Sequence, residues 1–91
     1  MPSTAASRQR ADLLRERIAT ARKAHAQAVA HARMFDTPEP PDSYLAALGL
    51  ADFHVAKVAE QTGNRHEHGA MEQLLTFVER ELARGWTPRP V

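Results

Sequence analysis

Leu14, Ile18, Ala21, His25, Ala28, Ala32 and Phe35 follow one another at alternating steps of four and three residues. At 3.6 residues per turn this spacing lines all seven along one stripe, the seam on which helices pack. It predicts a helix from Ser7 to Phe35, a stretch of strong helix formers with no Gly or Pro. Several seam positions are alanine, so a facing helix can approach closely. Pro38, Pro40 and Pro41 then forbid continuation, because proline lacks the amide donor and clashes with the preceding turn.

Two further stripes follow. Tyr44, Leu48, Ala51, Val55, Val58 and Thr62 predict a second helix, Tyr44 to Thr62, capped by Asp42 or Ser43 and widened by Leu45 and Ala59. Gly49 lies inside it at a cost of about 1 kcal/mol, and marks either a close helix contact or a break. Gly63 ends this helix, and Asn64 to Gly69 reads as a polar turn. Met71, Leu75, Val78 and Leu82, flanked by Leu74 and Phe77, predict a third helix from Ala70 to Arg84. Gly85 is a natural stop, with Trp86 folding back onto Leu82.

The expected fold is all-α: a three-helix up-down-up bundle with a long first helix and coiled-coil-like packing. Residues 1–6 form a flexible N-terminus, 7–86 the single domain and 87–91 an extended tail.

Composition limits how stable such a bundle is by itself. Of the 91 residues 43% are hydrophobic, but 17 are alanine. Large apolar side chains are few, so self-association is one way to bury more of them. The net charge of +1 gives no global field for nucleic acid or a membrane. Cysteine is absent, which excludes disulfides and thiolate metal sites. No run approaches the roughly 20 apolar residues of a membrane span, and no signal-peptide pattern opens the chain. Ten arginines against two lysines, with abundant alanine, fit a GC-rich genome. A cytoplasmic, bacterial protein is the expectation.

Charge is distributed unevenly. Residues 1–35 hold seven basic and two acidic side chains, whereas residues 36–81 hold three basic and nine acidic. Arg10, Arg15, Arg17 and Arg22 flank the first seam, and Glu72, Glu79 and Glu81 flank the third. Opposite charges flanking two seams select partners, so helix 1 is expected beside helix 3, within one chain or across a dimer. Residues 24–32 carry no charge. A helix covered on one side normally carries charge on the other, so this segment is a candidate for burial on two sides. His25, Ala28, Val29 and Ala32 are its candidate protein-contact residues.

Candidate chemistry is sparse. His66, His68 and Glu72 are the available metal donors, with His68 and Glu72 at i and i+4. A zinc or nickel site needs three or four converging donors. Neither Glu-x-x-His nor His-Glu-x-x-His occurs, so the di-iron bundle and metalloprotease patterns are missing. His25 occupies a seam position, where a polar residue fixes register or oligomer state.

Val58–Gly63 resembles the first helix and turn of a helix-turn-helix. The apolar positions that motif needs after the turn are Gly69 and Glu72 here, and Glu67 and Glu72 repel phosphate. Leu14–Ile18 resembles the opening of the small all-helical chorismate mutases. That family also uses a second Arg late in helix 1, for which Arg33 can stand, and a downstream Lys. No Lys lies between Ala24 and Ala56, so no catalytic role is carried over.

The sequence thus points to a non-catalytic helical protein without cofactor, acting through protein–protein contact as a homo-oligomer or accessory subunit. The alternative is a small DNA-associated regulator whose basic first half, Arg10, Arg15, Arg17 and Arg22, touches phosphates.

Overall fold

The structure, a computed structural model, describes residues 4–60 and 65–84. They form three helices: α1 (Thr4–Phe35), α2 (Ser43–Glu60) and α3 (Arg65–Ala83). Each helix contacts both others, and no strand occurs among the described residues. At 1.5 Å per residue, α1 spans about 48 Å and α3 about 28 Å. The first helix therefore accounts for most of the molecule's longest dimension, 54 Å, and outruns α3.

The three stripes meet as one core of Ala11, Leu14, Ile18, Ala21, Leu48, Ala51, Val55, Leu75, Val78 and Leu82. Ala24, Ala28, Tyr44, Ala47, Val58 and Ala59 pack against it. The void left at the three-helix junction is about 10 Å³, the room of roughly one water probe. The seam of α1 begins one step earlier than expected, at the fully buried Ala11.

Phe35 corrects the other end of that seam, for it is 60% exposed, beside Met34 at 77%. The cause is the path of the connection. After α1 ends, the chain doubles back until the Pro41 carbonyl oxygen lies 3.3 Å from His25 Nε2. The last turns of α1 overshoot the place where α2 begins. Thr37 donates its N–H to the Ala32 carbonyl at 2.9 Å, and Asp36 takes the left-handed conformation with φ 52°. This is the bond pattern that closes a Schellman cap, made here with Asp where Gly is usual. Pro40, within the returning connection, is buried. Ala46 then donates to the Asp42 carbonyl at 3.2 Å, making Asp42 the cap residue of α2.

Two further expectations change. The third helix starts at Arg65, so His66, Glu67, His68 and Gly69 are helical rather than a polar turn. No proline prevents this, and Glu67 in the first turn favours the positive end of the helix dipole. The first helix starts at Thr4, which makes residues 4–6 helical. Gly63, Gly85, Trp86 and the 87–91 tail, with Thr62, lie outside the described residues.

Candidate interaction surface

The α1–α3 contact is rimmed by ion pairs, as the flanking charges predict. Arg10 Nη2 lies 2.5 Å from Glu72 Oε1, and Arg17 Nη2 lies 2.5 Å from Glu79 Oε1. Arg17 also reaches Thr76 Oγ1 at 3.3 Å. The hydrogen bond that Arg17 donates to Glu79, against the opposing effect of burial, holds the guanidinium above its ordinary range. An open groove of about 520 Å³ runs between these helices, with Arg10, Arg17, Glu72 and Glu79 among its walls.

Arg15 and Arg22 have other partners. Arg15 pairs with Asp12 on its own helix at 3.2 Å, and Arg22 approaches Asp52 of α2 at 3.6 Å. Glu81 is buried and pairs with Arg84 one turn on. The four arginines proposed for phosphate contact thus each have a carboxylate of this chain beside them.

The uncharged segment of α1 presents its seam inward. His25 is 3% exposed and donates from Nε2 to the Pro41 carbonyl, which also accepts the Tyr44 N–H at 3.1 Å. Ala32 is buried, while Ala28 and Val29 are half-buried. The connection and α2 cover this face. On the opposite face, Ala26, Gln27, Ala30 and His31 are exposed.

The structure joins two histidines that the sequence keeps apart. His54 Nε2 of α2 lies 3.0 Å from His68 Nδ1 of α3, with the ring centroids 4.7 Å apart. One ring donates and the other accepts. Burial, then the neighbouring His68 and Lys57, lowers the pKa of the His54 imidazole, with Glu67 opposing. Glu72 lines the same void as both rings, whereas His66 is exposed. Among the described residues no three His, Cys, Asp or Glu side chains converge as metal ligands.

The feature that sequence reasoning passed over is the outer face of α2. Leu50 is 57% and Phe53 72% exposed, and Ala46 and Gly49 beside them are exposed too. Phe53 precedes the buried Val55 by two residues, about 200° around the helix. Asp52 turns toward α1, so the outer stripe carries no charge between its ends at Asp42 and Lys57. Gly49 neither breaks α2 nor marks contact with another helix of this chain: a Cβ there meets nothing within 4 Å. The signal was present in the sequence. Ala46, Leu50, Phe53 and Lys57 repeat the four-three-four spacing in a second phase, obscured because the inner stripe already explains the helix.

No helix among the described residues is long and apolar enough to cross a membrane. No protein-family model, curated protein or solved structure matches this chain.

Proposed function

We propose that the chain is a small non-catalytic helical bundle that acts by protein–protein contact, as a homo-oligomer or accessory subunit, through the outer face of α2. A single exposed leucine is ordinary on a protein surface, but a contiguous apolar stripe on a helix marks a contact site. A helix that is apolar on both faces is normally covered on both. The inner face of α2 is covered by α1 and α3. The observation that carries the reading is the exposure of Leu50 and Phe53 on an uncharged stripe. The nucleic-acid reading gains no comparable support, since carboxylates of the same chain accompany its arginines.

The test is photo-cross-linking in cells that naturally produce the chain. A benzophenone amino acid replaces Phe53 in one version and the exposed Gln9 of α1 in another. Adducts with a protein of any kind, this chain included, from position 53 and not from position 9 are the expected result. Equal labelling from both positions, or none from position 53, overturns the reading.

A further inference from the structure

The outer stripe of α2 is complementary to itself when reversed, and this names its occupant. We infer that the face docks a second copy of this chain, α2 against α2, antiparallel about a two-fold axis passing between Gly49 and Leu50. The inference rests on the contact reading above. In that register each side chain of the stripe meets an opposite in size or charge. Gly49 receives Leu50 of the partner subunit, Ala46 receives Phe53 of the partner subunit, and Asp42 faces Lys57 of the partner subunit. Every pairing occurs twice, once on each side of the axis.

Three observations support this pairing over others. Gly49 has open space where a Cβ would be, and Ala46 is exposed, so the large side chains have recesses that let helices approach to about 8 Å. Asp42 is exposed at one end of the stripe, and the Lys57 side chain, 40% exposed at the other, lies over the Phe53 ring at 5.9 Å. Within its own chain the Lys57 ammonium lies 3.9 Å from Glu67. A parallel pairing would instead set Asp42 on Asp42 and Lys57 on Lys57. It would also stack Phe53 on Phe53 while Gly49 faced Gly49 across a gap. Helix pairs choose orientation by avoiding such like-charge contacts. A two-fold contact also uses both copies of the stripe at once, giving a closed dimer rather than a filament.

The experiment is solution mass by light scattering over a range of loading concentrations, with circular dichroism to confirm folding. The wild type is expected to show a monomer–dimer equilibrium. Gly49→Gln fills the recess with a good helix former in open space, so the monomer folds and dimerisation is lost. Lys57→Asp sets like charges at both ends and is expected to weaken the dimer about tenfold at low salt. Asp42→Lys does the same, and Asp42→Lys with Lys57→Asp in one chain restores pairing.

A wild type that stays monomeric at every concentration overturns the self-docking inference. Adducts to a different protein from position 53 would then leave the contact reading standing. A dimer that Phe53→Glu dissociates, but that ignores Lys57→Asp or is not restored by the folded double variant, overturns the register. A dimer indifferent to Phe53→Glu and Gly49→Gln overturns the face itself.

Discussion

The α1–α3 junction and the outer face of α2 are opposite kinds of surface. At the junction, apolar positions meet inside and charged positions close the rim, with Arg10 on Glu72 and Arg17 on Glu79. On α2 the inner face is equally complete, with Leu48, Ala51 and Val55 buried, but the outer face repeats the apolar pattern with Leu50 and Phe53 exposed. Charge here marks a contact completed within the chain, and on the proposed reading the uncharged outer stripe of α2 is completed by a second molecule.

The largest effect that separates the two faces comes from truncating each. Leu48→Ala, inside, is expected to cost about 2–5 kcal/mol in chemical denaturation. Phe53→Ala, outside, should cost the monomer no more than about 0.5 kcal/mol. Similar costs at low protein concentration would mean that the outer face belongs to the core.

A smaller change should follow removal of the polar tie that closes the inner face at its top. His25→Leu takes the ring donor from Pro41, and a loss of about 1–2 kcal/mol is expected. An unchanged melting temperature would show that the imidazole bond adds no stability to the connection.

Acid tests the α2–α3 contact. The His54 pKa is lowered by burial and by His68 and Lys57, so the fold favours the neutral ring. Its contribution is full above an ordinary histidine pKa of about 6.5 and is lost as pH falls through the lower folded value. The melting temperature should fall between about pH 7 and pH 5, and His54→Gln should flatten that slope. An equal slope in wild type and variant would remove His54 as its source.

The junction itself should respond least. Glu72→Arg with Glu79→Arg is expected to destabilise by about 1 kcal/mol per pair or less, and more at low salt than at high. No salt dependence would mean that the apolar seam alone sets the place of α3.

Most of the fold was legible because seams are local patterns. Leu14, Ile18, Leu48, Val55, Leu75 and Val78 stand at positions the four-three spacing assigns to the core. Of the arginine flanks, Arg10 and Arg17 join α1 to α3 as the charge pattern predicts, whereas Arg22 turns to Asp52 of α2. What failed depended on the chain's path through space. Phe35 keeps the spacing but lies beyond the point where the chain turns back. His54 and His68 meet only because α2 and α3 are antiparallel neighbours. The start of α3 was missed because its first turns are polar, and polarity without proline does not forbid a helix. The outer stripe of α2 is masked in the sequence by the inner one, since the inner pattern alone accounts for the helix.

The overhang of α1 divides one continuous helix into two mechanical regimes. From Ala11 to His25 the helix lies in the three-helix region, where amide hydrogens should exchange mainly through opening of the bundle. Its last turns, ending in Met34 and Phe35, are held by the Asp36 cap and the returning prolines. Amides there should exchange through local fraying, orders of magnitude faster. Deuterium uptake read along α1 would therefore rise in a step just beyond His25, where the chain's own connection is the last thing holding the helix.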